Sequence, residues 1–180
     1  LISYNGTDAE VEIPAGITEI GSNAFMKNTS LEKVIFCDGI TKIGNNAFEG
    51  CFNLKEIINT EDLESIGDYG FSGCKVLSGD ILRSPNLHTI GSHAFESCRA
   101  LGGETGELKL SESLISIGAW GFRYCREITS VIIPKGITEI EPMTFSECYE
   151  LESVNFPESL ESIGYKAFEY TGIKNLELPE

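Results

Sequence analysis

Apolar residues recur along this chain in a fixed frame. An Ile is followed four positions later by a small residue and five positions later by Phe. The frame reads "IGSNAFMKNTSL" from Ile20, "IGNNAFEGCFNL" from Ile43, "IGDYGFSGCKVL" from Ile66 and "IGSHAFESCRAL" from Ile90. It continues as "IGAWGFRYCREI" from Ile117, "IEPMTFSECYEL" from Ile140 and "IGYKAFEYTGIK" from Ile163. Successive copies are offset by 23, 23, 24, 27, 23 and 23 residues, the period of a stacked repeat array. The Phe is present in all seven copies, and Gly follows the Ile in all but one, where Glu141 stands.

Between these frames lie stretches such as "LEKVIF" (31–36), "ITSVIIP" (128–134) and "LESVNFP" (151–157). Leu31, Val34 and Phe36 point inward and Ile35 outward, the period-two pattern of a short strand. Pro14, Pro134, Pro157 and Pro179 end such strands, where a missing N–H costs least. A second extended piece follows ("ITEI" at 17–20 and 137–140), and the Ile-Gly segment is then expected to turn the chain through a single helical turn. No unit can bury its own apolar face, so each must stack on its neighbours.

The pattern "IPxxITEIGxxAFxxC", plainest over residues 11–25 and 131–145, resembles the BspA-like (treponemal-type) leucine-rich repeat, and the resemblance spans essentially the whole chain. It implies a right-handed leucine-rich-repeat solenoid of the α/β superhelix class. One parallel sheet of short strands, short helical turns and about seven coils are expected, forming a single domain over residues 1–180 that is a fragment of a longer chain. For function it implies surface or secreted binding proteins and adhesins that share no catalytic residue set. The expected localisation is therefore the cell surface or the extracellular medium. The departures are Glu141-Pro142, the longer third and fourth units and the shortened seventh.

Composition narrows the partners. Against 28 acidic residues stand 13 Lys plus Arg, a net charge of −15, which argues against nucleic acid and anionic membranes. No apolar run approaches the roughly 18 residues of a transmembrane helix. Five of the six cysteines (Cys51, Cys74, Cys98, Cys125 and Cys148) share one slot of the repeat. Stacked slots about 4.8 Å apart with parallel Cβ vectors suit neither a disulfide nor a zinc cluster, so a ladder of buried thiols satisfying turn backbone is expected. Cys37 occupies a slot where other copies carry Pro and is expected to be a free surface thiol.

Catalytic signatures are missing from the sequence. There are two histidines, His88 and His93, no H-E-x-x-H, no G-x-S-x-G and no Walker loop. The expectation is a non-enzyme with no cofactor and no metal site.

Two rows of variable positions are the candidate contact surfaces. The third position after each Ile holds Asn23, Asn46, Tyr69, His93, Trp120, Met143 and Lys166, so Tyr69, His93 and Trp120 fall on consecutive coils. Tyr and Trp anchor interfaces and also stack on sugar rings. The alternative is that this slot packs under the adjacent turn. The second row is the outward strand position, where Ile35, Ile58 and Leu82 would form an apolar patch; a register error of one residue would turn them inward. An insertion around Gly102–Gly106 falls near the middle of both rows.

The expected function is non-catalytic binding of a protein or glycan, with host extracellular matrix among the candidates, by an adhesin-like repeat protein. A structural spacer displaying a neighbouring domain is the alternative. The closing "IKNLELPE" is expected to be a strand without a polar cap, allowing end-to-end self-association.

Overall fold

The computed structural model describes residues 3–77 and 80–178. A typical coil contributes two short strands and a wide turn. The first ladder of parallel strands contains β1 (Glu10–Glu12), β3 (Lys33–Ile35) and β5 (Glu56–Ile58), and resumes in β8 (Glu107–Leu108), β10 (Ser130–Ile132) and β12 (Ser153–Asn155). Register is kept coil by coil: Val11 faces Val34, Val34 faces Ile57, and Leu108 and Val154 flank Val131. The second extended piece builds a ladder of its own. It consists of β2 (Glu19–Ile20), β4 (Lys42–Ile43), β6 (Ser65–Ile66), β7 (Thr89–Ile90) and β9 (Ser116–Ile117), then β11 (Glu139–Ile140) and β13 (Ser162–Ile163).

The expected helical turn is replaced by a third ladder. In the first turn, Asn23, Phe25 and Lys27 donate their N–H groups to the carbonyls of Asn45, Ala47 and Glu49 in the next coil. The alternate residues Ala24, Met26 and Asn28 donate back to Gly21, Asn23 and Phe25. Such alternation needs a left-handed residue at two points of every turn, and all seven turns supply one at each. One slot is the variable row from Asn23 to Lys166; the other holds Lys27, Gly50, Gly73, Ser97, Tyr124, Glu147 and Tyr170. An α-helical turn would point every N–H back along the chain and leave none to join the coils.

The core is a set of columns. Rings of Phe25, Phe48, Phe71, Phe95, Phe122, Phe145 and Phe168 stack with centroids 5.0–5.5 Å apart and planes within 15° of parallel. Six of the seven are fully buried; Phe168 is half-buried. Beside them run the Ile column (Ile20, Ile43, Ile66, Ile90, Ile117, Ile140) and the cysteine ladder.

The strand ladders are interrupted at two places, both for local reasons. In the third coil the expected strand is a 3-10 turn, Asp80–Arg83, between β5 and β8. Here Leu82 corrects the outward assignment: it is 3% exposed. Its neighbour Ile81 is buried as well, which a strand does not allow for consecutive side chains but a three-residue turn does. The second break lies between β9 and β11. At Gly44, Gly91 and Gly118 an added Cβ would come within 2.5–2.6 Å of a backbone nitrogen of the preceding coil. Glu141 carries that Cβ at the equivalent position, and no pairing is formed there. The turn ladder crosses the gap intact through Trp120 N–H to Pro142 and Phe122 N–H to Thr144.

Residues 173–178 form no strand, correcting the expectation for the closing segment; Pro179 lies outside the described residues. Pro14, Pro134 and Pro157 each sit two residues past a strand end.

Candidate functional site

The variable turn slot is dictated by backbone before it is dictated by chemistry. Its φ values run from 54° to 63° in all seven coils. Asn tolerates this conformation, and Asn23 and Asn46 fill it in the first two coils. A bulky L-residue there costs roughly 1–2 kcal/mol, and a buried small residue (Ala, Gly or Thr) and the repeat Phe follow immediately, so the side chain must leave the turn outward. Coils three to five place Tyr, His and Trp in this costly position.

The three rings form one stack. Tyr69 and His93 lie 4.4 Å apart between centroids at 7°, and His93 and Trp120 lie 5.3 Å apart at 12°. Tyr69 is 37% exposed, and His93 and Trp120 are half-buried. Within the slot the three rings lie face against face along the stack.

Arg123 extends the stack on the Trp120 side. Its guanidinium carbon sits 4.6 Å from the Trp120 ring centroid and 4.2 Å from that of Tyr124. It pairs with Glu96 of the preceding coil at 3.3 Å and with Glu147 of the following coil at 2.5 Å. Glu96 also meets His93 Nδ1 at 2.8 Å. Glu147 accepts from the Tyr149 hydroxyl at 2.9 Å. Partial burial opposes the charge on Glu147, but hydrogen bonds from Tyr124, Tyr149 and Arg123 outweigh it and lower its pKa. Tyr124 is raised in turn, first by its hydrogen bond to Glu147. Arg126 continues the chain of contacts, 5.8 Å from the Tyr124 ring and 5.2 Å from the Tyr149 ring.

The surface is therefore a ridge running from Tyr69 through His93, Trp120, Arg123, Tyr124 and Arg126 to Tyr149. Sequence reasoning found its first three members. It missed Arg123, although a signal was present: the slot after the repeat Phe holds Met26, Glu49, Ser72, Glu96, Ser146 and Glu169 in the other coils, and Arg123 is its single cation.

The second candidate row is shorter than expected. Ile35 and Ile58 pair directly across β3 and β5 and are half-buried on the outward side. Leu82 does not join them; instead it borders a depression of about 160 Å³ together with Arg83, Leu101, Gly102 and Lys109 beside the insertion. Past the interruption, Ile132 is 56% exposed but stands between Lys109 and Asn155.

The five cysteines of the ladder are buried and free. Each thiol donates to the carbonyl of the Phe one coil back, Cys51 to Phe25, Cys74 to Phe48, Cys98 to Phe71, Cys125 to Phe95 and Cys148 to Phe122, at 3.0–3.1 Å. Cys37 is half-buried, with Sγ 3.1 Å from the Pro14 carbonyl. Among the described residues no group of three His, Cys, Asp or Glu side chains could hold a metal, and no helix is long and apolar enough to cross a membrane.

Comparison with known proteins agrees with this architecture. The BspA type leucine rich repeat region, in six copies, matches residues 4–106 and 81–180. The structure of a leucine-rich-repeat protein from T. pallidum is similar, with 30% identity over 91% of this chain and 76% of that one and a TM-score of 0.80. A leucine-rich-repeat protein from Bacteroides ovatus is 32% identical over 96% of this chain with a TM-score of 0.84. A leucine-rich cell surface protein from Faecalibacterium prausnitzii is 27% identical over 98% of this chain with a TM-score of 0.63. The chain spans 43% of the length of each of these last two. No curated protein matches. With the repeat model covering nearly the whole chain and two solved structures at 30% identity or more superposing on its coils, this chain belongs to the family of BspA-type leucine-rich-repeat proteins.

Proposed function

We propose that this chain is a non-catalytic protein-binding module of a surface-exposed or secreted bacterial protein, and that its contact surface is the turn ridge centred on Tyr69, His93 and Trp120. The observation that carries this reading is the ring stack itself. Tyr, Trp and Arg are the side chains that dominate binding hot spots; here Tyr69 and Trp120 stand with His93 on consecutive coils at a backbone position that disfavours bulky residues, and Arg123 packs on Trp120 from a neighbouring slot. Strain of this kind persists where something other than folding selects the residue.

A protein partner suits the geometry better than a glycan. Sugar rings dock on open aromatic faces, whereas His93 is held between Tyr69 and Trp120, and Trp120 meets both His93 and the Arg123 guanidinium. The location is supported by the cell-surface assignment of the F. prausnitzii relative. Ile35 and Ile58 are a secondary candidate surface on the first strand ladder.

The test is a binding screen of the chain against extracellular-matrix proteins and a glycan array, repeated with a Tyr69→Ala, Trp120→Ala double variant whose circular dichroism is unchanged. A protein hit lost in the variant supports the ridge. A hit that survives moves the site to the strand ladder, and the absence of any hit favours the spacer.

A further inference from the structure

Cations are scarce on this chain, and six of the 13 Lys and Arg residues are held in the following ion pairs. Lys33 pairs with Glu10 and Glu56, Lys42 with Glu19, Lys55 with Glu32, Lys109 with Glu107, Lys166 with Glu169, and Arg123 with two carboxylates. Three of the remainder share one repeat slot, the position after the ladder cysteine, in three consecutive coils: Lys75, Arg99 and Arg126. All three are exposed, and no ion pair among the described residues involves them. The same slot carries exposed aromatics at both ends of the run, Phe52 and Tyr149. Lys75 Nζ lies 4.5 Å from the Phe52 ring and Arg126 leans on Tyr149, so the stems are braced along the surface. The next slot holds Val76 and Ala100 beside the first two cations; Glu127 and Glu150 appear in the fifth and sixth coils.

We infer that this Lys75–Arg99–Arg126 row receives an acidic α-helical segment of the protein partner. The inference rests on the protein-binding reading above, because Tyr124 and Arg126 join the row to the ridge. Charge complementarity gives the sign of the occupant, and spacing gives its form. Coils advance by 5.0–5.5 Å, measured at the phenylalanine column, and an α-helix advances about 5.4 Å per turn. Carboxylates spaced i, i+4, i+7 on one helix face therefore meet successive coils in step. An extended strand presents same-face residues about 6.6–6.8 Å apart and falls out of step within three coils. A long polyanion is disfavoured for another reason: beyond these three coils it would run along a molecule carrying a net charge of −15.

The test uses two fluorescein-labelled, alanine-based helical peptides of equal composition, one with its glutamates on a single face and one with them distributed around the helix. Anisotropy titrations compare the wild-type chain with Arg99→Glu/Arg126→Glu and with the milder Arg99→Gln/Arg126→Gln. The expected result is at least about tenfold tighter binding of the one-faced peptide, lost on charge reversal, intermediate with glutamine, and weakened by salt, as contact between exposed charges must be. Equal binding of both peptides, or equal affinity for an unstructured polyglutamate or heparin, would overturn the helix assignment in favour of a general anion surface. Unchanged affinity in the charge-reversed variant would overturn the site. The two readings separate cleanly. No peptide binding, with a protein hit still lost in the Tyr69/Trp120 variant, removes this inference and leaves the ridge. Row-dependent binding of the one-faced peptide, with a protein hit indifferent to Tyr69 and Trp120, does the reverse.

Discussion

The thiol of Cys125 donates to the carbonyl of Phe95, one coil back, at 3.1 Å, and the same relationship is repeated in five consecutive coils. The acceptor belongs to the residue whose ring forms the central column, so one short side chain fixes both the turn and the Phe stack. Nothing else of that size does both. Alanine removes the bond between coils and leaves the carbonyl only the one it accepts from the Cys98 N–H, and a hydroxyl is shorter in reach and costlier to bury.

Substituting Cys125→Ala is accordingly expected to destabilise the fold by about 1–2 kcal/mol, from one lost hydrogen bond and a small void together. Burial also pushes the thiols of Cys51 and Cys148 up to about 12 and raises those of Cys74, Cys98 and Cys125. Thiolate is the reactive form, so at mildly alkaline pH the ladder should be inert to a thiol reagent. A timed titration of the native protein should count one reacting thiol, Cys37. Denaturant should release the other five. Two or more fast equivalents in the native state would contradict the ladder.

The variable slot makes a prediction of a different kind, because its demand is on backbone rather than on contacts. Met143 sits there with φ 56°. Asn enters the left-handed region at little cost, while a β-branched residue in it is a true outlier. Met143→Val is therefore expected to lower the thermal midpoint more than Met143→Asn, by the equivalent of about 1–2 kcal/mol, although valine is the closer match in polarity. Thermal melts of the pair decide it, and an order reversed in favour of valine would refute the assigned turn conformation.

How much of this was legible beforehand depends on whether a feature binds one slot to one residue type. The Phe column and the cysteine ladder do, the Phe in all seven coils and the Cys in the five inner ones, and the sequence shows both plainly. The turn conformation does not. Its second left-handed slot is filled by Lys27, Gly50, Gly73, Ser97, Tyr124, Glu147 and Tyr170, and two glycines among seven residues hide the requirement. Leu82 was misplaced because the third unit is one residue longer than the two before it. The nominal strand then winds into a 3-10 turn, and counting slots across an insertion loses the register. The Arg123 cluster joins Glu96, Trp120, Tyr124 and Glu147 across three coils. Contacts of that kind depend on rotamers and not on period.

The break between β9 and β11 offers the most direct check on how these coils are held apart. Glycine after the repeat Ile lets one coil approach the backbone of the last; at Gly118 a Cβ would stand 2.5 Å from the Ser92 nitrogen, closer than any real contact allows. Gly118→Ala should therefore open the β7–β9 pairing and lower the thermal midpoint, in the manner of an overpacked core, by about 1–3 kcal/mol. Glu141→Gly is the converse experiment. Removing the side chain should let β11 pair with β9, extending the five-stranded ladder into the two strands beyond it. Amide exchange around Ile117 and Ile140 should slow even though glycine is the more flexible residue. If exchange there accelerates instead, the gap belongs to the chain geometry at Pro142, whose nitrogen carries no hydrogen to give, and not to the Glu141 side chain.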